Sequence, residues 1–319
     1  MKAAAAIAEI LKREGIEVLI GYPVNHLIEF AARADIRTII VRQERVGLHM
    51  ADAISRLTSG RRIGAFAMQH GPGAENAFGG VAQAFAESSP ILVMPMGYAR
   101  RLAHVAPNFN SALAYRPVTK SAEPVTAAAD IPDIMRRAFT QLRNGRLGPA
   151  LVEIPVDVFA EEVAEPIAYD PVFATRTGPD PEAVGRIADV LVAATAPVIN
   201  AGQGVHYARA WGPLRDLAEL LAAPVTTSLN GKSAFPEDHP LALGSGGRSM
   251  PETVRRFLDD ADVIFGIGCS FTISSFAVDI PEGKTIVHAT LDPGDLNKNV
   301  IARHALVGDA DLTLRALVA

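Results

Sequence analysis

Cysteine is almost missing from this chain: one, Cys269, in 319 residues. A single thiol excludes an intrachain disulfide framework and the small disulfide-stapled folds that depend on one. Long apolar runs are missing too. No stretch approaches the roughly 20 consecutive apolar residues of a membrane-spanning helix. The opening MKAAAAIAEILKREG mixes apolar and charged residues at helical spacing, as an ordinary first helix does and a signal peptide does not. Nor is there an excess of positive charge. The formal net charge is -5, which offers no broad attraction to nucleic acid or an anionic membrane. The arginine pairs at 61–62, 100–101 and 136–137 read as solvated surface. His206, His239, His288 and His304 lack metal-ligand spacing. These absences lead us to expect a cytoplasmic protein with no nucleic-acid partner, no membrane contact and no metal site of its own.

What is present is the composition of a folded chain, 49% hydrophobic and 20% charged, with length enough for two domains. Short apolar runs at 18–21, 37–41, 63–68, 91–95 and 150–154 alternate with helical patterns at 46–58, 74–87 and 130–143. Near-continuous apolar strands separated by helices predict a parallel sheet covered on both faces. From 161 to 181 the chain is rich in Pro, Asp and Glu without a sustained period, which reads as a linker. A second series follows, with strands at 197–200, 224–227, 263–267, 285–291 and 305–307 and helices at 182–194, 211–221, 252–260 and 311–317. The fold class predicted is α/β: two doubly wound, mostly parallel-sheet domains, 1–160 and 182–319, joined by that linker.

Two stretches carry candidate chemistry. In IIVRQERVGLHMADA an apolar strand ends in a charged cluster and a helix begins at once, so Glu44 lies at the carboxyl edge of the sheet, where such folds place ligands. Taken alone, Glu44 is a solvated turn residue paired with Arg42 or Arg45. In FAMQHGPGAENAFGGVAQAF a strand runs into a Gly-Pro-Gly turn and then a helix of small residues. Such a turn lets backbone approach a ligand closely, but it lacks the lysine and hydroxyl of a phosphate-binding P-loop.

Together these stretches resemble the pyrimidine-binding domain of thiamine-diphosphate enzymes, in particular the acetolactate synthase group. GYP at 21–23, RQE at 42–44, HGPGAEN at 70–76, SSPILVM, RPVTK at 116–120 and GRLGPALVEIPVDV at 145–158 follow in the family's order. PVINAGQGV, APVTTSLNGKSAFPEDHPLALGSGG, VIFGIGCSFT, LDPGDLNKNV and VGDADLTLRAL continue the likeness through the second half, as a middle domain. The resemblance implies a carboligase or decarboxylase acting on a 2-keto acid such as pyruvate. In that family a glutamate, here Glu44, meets N1′ of the cofactor's aminopyrimidine and favours the imino tautomer that activates the thiazolium C2. It also implies contacts to the pyrimidine side of thiamine diphosphate from Pro23, Gly71, Pro72 and Asn76. Substrate positions fall on Gln69, His70, Phe109, Asn110 and Lys120. His70 reads equally as a group that moves protons and as a turn histidine satisfying backbone groups, and Lys120 equally as a partner of a substrate carboxylate and as a surface lysine.

Departures from the family pattern bound these expectations. The family holds the diphosphate and its magnesium through a third domain with a GDG motif and a later NN. Neither pattern occurs as such in this sequence. We therefore expect a C-terminal diphosphate-binding domain in the same or another chain, and an assembly that is a homodimer or homotetramer. The family's FQ stands here as Phe109-Asn110, and GPGATN as GPGAEN with Glu75. A FAD is implied at Arg116, Gly202, Gly204 and Asp292, but the family's GARFD is GCSFT and an aspartate is Thr290, which removes charge-assisted contacts. The alternative to an enzyme is a non-catalytic nucleotide-binding or interaction module derived from this fold. Retention of Glu44 speaks for the enzyme.

Overall fold

The computed structural model describes residues 1–247, 249–274 and 277–319, and the chain divides into two compact units, Met1–Thr175 and Arg176–Ala319. The first carries β1 (Val18–Gly21), β2 (Arg37–Ile40), β3 (Gly64–Met68), β4 (Ile91–Gly97), β5 (Ser121–Pro124) and β6 (Ala150–Pro155), ordered β2-β1-β3-β4-β6-β5. Every pairing is parallel. Helices α1 (Ala3–Arg13), α2 (Leu27–Arg33), α3 (Glu44–Leu57), α4 (Pro72–Ala86), α5 (Ser111–Ala114) and α6 (Ile131–Arg143) flank the sheet. Successive strand residues serve opposite faces. Ala65, Ala67, Leu92, Met94 and Val152 join a core with residues of α1, α2 and α6, while Phe66, Met68, Val93 and Leu151 join another with α3 and α4. Burial on both faces is why these strands read as unbroken apolar runs.

The segment expected as a linker is packed onto the first unit as far as Thr175. Ile167 and Tyr169 are buried in its core. Arg13 donates to the carbonyls of Ile167 (3.3 Å) and Tyr169 (3.0 Å). The Tyr169 hydroxyl and the Val172 N–H (3.0 Å) both donate to the carboxylate of Glu14, which is fully buried and paired with Arg143. The segment is held by side chains and follows no helical or strand period, so nothing periodic in the sequence announces it.

The second unit carries β7 (Pro197–Ala201), β8 (Val225–Ser228), β9 (Ala242–Gly246), β10 (Val263–Ile267), β11 (Thr285–Thr290) and β12 (His304–Val307), ordered β12-β11-β10-β7-β8-β9 and parallel throughout. Counted from β7, this is the doubly wound order whose direction reverses between its first and fourth strands, here β7 and β10. Helices α7 (Pro181–Ala193), α9 (Trp211–Leu220) and α11 (Ala310–Val318) cover one face, and α10 (Glu252–Asp260) packs on the other over Val198, Ile264 and Ile286. A short α8 (Gly204–Ala208) follows β7. Among the described residues no helix is long and apolar enough to cross a membrane.

Candidate functional site

In the first unit the strand order reverses between β1 and β3, and a reversal of this kind leaves a crevice at the carboxyl ends of the strands. The loops after β1, β2 and β3 border it. Asn25 secures the first of them: buried, it donates to Met68 O (2.9 Å) and Met94 O (3.1 Å) and accepts from Leu27 N (2.9 Å). One amide thus ties the start of α2 to the end of β3 and the middle of β4. Pro23 is exposed in the same loop.

Glu44 is the first residue of α3 and only 5% exposed. A carboxylate in the first turn of a helix is favoured by the macrodipole. Its Oε2 accepts a hydrogen bond from Asn76 Nδ2 at 2.7 Å, and a Cβ added to Gly73 would stand 3.4 Å from Oε1. Gly71 precedes α4 at φ 59°, a left-handed conformation that suits glycine, and a Cβ there would stand 2.7 Å from the Tyr98 hydroxyl. Pro72 then opens α4, where its missing N–H has no intrahelical partner to lose.

Tyr115 is a neighbour the sequence did not announce. It is fully buried, its hydroxyl donates to Ala74 O, and its ring meets Phe78 edge-on at 5.2 Å. Burial first, and then the charge of Glu44, push its hydroxyl far above the usual phenol range. It therefore stays protonated beside the carboxylate.

Gln69 and His70 are partly buried in the turn between β3 and α4. The His70 ring packs edge-on against Tyr98 at 4.5 Å, and its buried Nδ1 has no hydrogen-bond partner among the described residues. Burial lowers its pKa, which favours the neutral imidazole. Phe109 packs against the core beneath α3 and α4, and Asn110 caps α5 by accepting from Leu113 N at 2.9 Å. A second buried carboxylate holds the same short helix: Glu153, on β6, accepts from the Ser111 hydroxyl and from Ala112 N (3.3 Å). An acid inside the apolar run ALVEIP was its only signal in the sequence.

Lys120 requires a correction. Expected to face a substrate carboxylate, it donates instead to Gln141 O (2.5 Å) and Asn144 O (2.7 Å) at the end of α6. It directly precedes β5, whose first residue pairs with the first residue of β6. That is the amino edge of the sheet, opposite the loops that carry Glu44. Its charge is engaged in capping helix carbonyls.

The four positions expected for FAD do not fall together in one unit. Arg116 belongs to the first, in the short turn after α5, and Gly202, Gly204 and Asp292 to the second. A Cβ on Gly202 would lie 2.3 Å from Gly268 O, and one on Gly204 would lie 2.8 Å from Gly268 Cα. Gly204 N donates to Gly268 O at 2.8 Å. Contact between the loops after β7 and β10 therefore accounts for both glycines. Asp292 accepts from Gly294 N at 2.8 Å, an Asx turn.

Beside this contact runs a polar row. Asn200, Gly266 and His288 are register partners across β7, β10 and β11. The loop folds back over Gly266, where an added Cβ would meet the Phe271 ring at 2.3 Å and Cys269 Sγ at 2.9 Å. His288 Nε2 donates to Cys269 O at 2.8 Å, since a carbonyl can only accept. Burial pushes the Cys269 thiol up to about 12. The native protein is accordingly expected to leave Ellman's reagent unreacted at about pH 8, where an ordinary thiol reacts readily, and to release one equivalent on denaturation. A rapid native reaction would contradict the inward placement of the sulfur.

Residues 1–116 match the family model described as thiamine pyrophosphate enzyme, N-terminal TPP binding domain, and residues 184–317 match thiamine pyrophosphate enzyme, central domain. The chain belongs to the thiamine pyrophosphate enzymes. Among relatives within that group, a protein named probable acetolactate synthase large subunit from Methanocaldococcus jannaschii is 34% identical over 336 residues, covering 100% of this chain and 56% of its own length. Acetolactate synthase isozyme 3 large subunit of Escherichia coli K12 is 30% identical, covering 100% and 57%. Glyoxylate carboligase of Escherichia coli O157:H7 is 32% identical, covering 100% and 55%. The crystal structure of benzoylformate decarboxylase from Polynucleobacter necessarius superposes with a TM-score of 0.86 at 25% identity, covering 100% of this chain and 61% of that one. The chain thus spans a little over half the length of these thiamine pyrophosphate enzyme relatives, and the relatives' names span carboligation and decarboxylation.

Proposed function

We propose that this chain supplies the pyrimidine-binding half of a thiamine-diphosphate-dependent active site that acts on a 2-keto acid, with acetolactate formation from pyruvate as the preferred reaction. One observation carries the reading: a buried carboxylate, Glu44, at the carboxyl edge of the first sheet, with one oxygen held by Asn76 and the other beside Gly73. A carboxyl so placed fits the ring nitrogen of an aminopyrimidine. Glu44 would hold or move a proton at that nitrogen, and Pro23, Gly71 and Pro72, in the turns after β1 and β3, would help to hold the pyrimidine side of the cofactor. Thiamine diphosphate supplies, when bound, the nucleophilic carbon and the electron sink for decarboxylation.

Gln69, His70, Phe109 and Asn110 are the substrate-facing set. His70, with a free buried nitrogen and a lowered pKa, serves as a neutral hydrogen-bonding group that accepts and returns a proton. Among the described residues no group of three or more His, Cys, Asp or Glu is disposed to hold a metal. In this reading, as the likeness to the thiamine pyrophosphate enzymes implies, magnesium and the diphosphate fall to a C-terminal domain in the same or another chain, and the active protein is a cytoplasmic homodimer or homotetramer. FAD is left out of this reading. The glycines expected to cradle it are accounted for by loop contact, and the arginine and aspartate of the family motif are Ser270 and Thr272.

The test is turnover of carbon-13-labelled pyruvate by the complete polypeptide that carries this chain, with magnesium and thiamine diphosphate added and products read by NMR. Labelled carbon dioxide with acetolactate or acetaldehyde is the expected outcome. Unchanged pyruvate and unchanged glyoxylate under the same conditions would remove the reading.

A further inference from the structure

We propose that Asn76 is a positioning residue that fixes the Glu44 carboxylate in its working orientation, an inference that rests on the function proposed above. Its amide nitrogen stands 2.7 Å from Glu44 Oε2. The two residues belong to different helices. Glu44 opens α3 and Asn76 lies in the first turns of α4, and the pair is brought together by packing between those helices, where Leu48 meets Gly80 so closely that a Cβ on the glycine would stand 2.9 Å from the Leu48 Cβ. The torsion that turns a glutamate's carboxyl group is broad and two-fold, so nothing intrinsic decides which oxygen faces a ligand. The bond from Asn76 decides it. It engages Oε2 and leaves Oε1 on the side of Gly73, which carries no side chain.

A neutral N–H donor also favours the ionised form of the acid it binds. Asn76 therefore sets how tightly Glu44 and the ring nitrogen retain the proton they share. The titratable groups on the surrounding elements leave this task to Asn76. Arg42 and Arg45 are exposed at the start of α3, and Glu75 is exposed on α4. His70 is favoured in its neutral form by burial, and the Tyr115 hydroxyl is directed to Ala74 O.

The probe is 4-amino-5-hydroxymethyl-2-methylpyrimidine, the pyrimidine half of thiamine, which needs no diphosphate site. It is titrated into this chain by NMR from about pH 5 to about pH 9, a range that spans the loss of a proton shared between a carboxylate and a ring nitrogen. In Asn76→Ala, binding at the optimum is expected to weaken about tenfold, the loss of one hydrogen bond to a charged group. The alkaline limb should move up by about one pH unit. Asn76→Asp, which sets a second carboxylate beside the first, moves that limb further in the same direction, and Asn76→Gln restores part of the affinity. Glu44→Gln abolishes binding. Circular dichroism confirms that each variant is folded.

If Glu44→Gln binds the probe as wild type does, the proposed function falls. If Glu44→Gln loses binding but Asn76→Ala keeps both affinity and alkaline limb, the positioning role falls and the function stands. No binding by the wild-type chain at millimolar probe overturns both.

Discussion

Replacing Glu44 by glutamine should lower turnover of a 2-keto acid by the complete polypeptide by roughly 10²–10⁴-fold, the range a positioned acid–base group contributes, and leave the fold intact. Glutamine matches glutamate in length and can still accept from Asn76 with its amide oxygen. It cannot hold or release a proton at the oxygen beside Gly73. Glu44 is 5% exposed, so water cannot readily replace the missing group. Stability should not suffer, because removing a charge from a buried position relieves desolvation. The measurements are steady-state kinetics with pyruvate, alongside thermal unfolding. A glutamine variant that melts like wild type and keeps most of its turnover would dismiss Glu44 as the activating residue. Glu44→Asp is the finer probe, since it keeps the acid and withdraws it by one methylene.

The second large effect concerns stability. Glu14→Ala should cost about 3–5 kcal/mol, the usual penalty for breaking one side of a buried ion pair. The substitution leaves Arg143, at 18% side-chain exposure, facing a void, and it deprives the Tyr169 hydroxyl and Val172 N–H of their acceptor. At roughly 2–4 °C per kcal/mol for a unit of this size, the melting temperature of the first unit should fall by about 10 °C. The double variant Glu14→Ala/Arg143→Met should recover part of the loss, because removing both charges avoids the stranded one. Calorimetry of the three proteins decides the matter. A single variant melting within about 2 °C of wild type would show that the network contributes little.

How much of this was legible in the sequence depended on where each residue sat. Central strands buried on both faces stand out as apolar runs, and β1 and β10 fall on the expected residues while other central strands differ by a residue or two at their ends. β5 and β9 were missed, and both are sheet edges. An edge strand packs against one neighbour only, so SAEP and ALGSG have no need of a continuous apolar sequence. α2 and α8, at 7 and 5 residues, are too short for a period to emerge.

The site divides in the same way. Glu44, Gly71 and Asn76 lie in local motifs and could be named. Asn25, Tyr115 and Glu153 act through partners at 43, 41 and 42 positions' separation, which no window on the chain contains. Lys120 misled because its neighbours in sequence suggested a ligand, whereas its partners in space are carbonyls ending a helix.

The way residues 161–175 close over the first unit has a practical reach for anyone who wishes to study that unit by itself. A boundary drawn at residue 160, where the last strand has ended and the composition turns polar, would cut away Ile167, Tyr169 and Val172. It would leave Arg13, Glu14 and Arg143 without the groups they hold. Such a truncation should express as an aggregating protein with a bared apolar flank. One ending at Thr175, where the compact unit ends, retains the whole clasp and should be the shortest version that stays in solution.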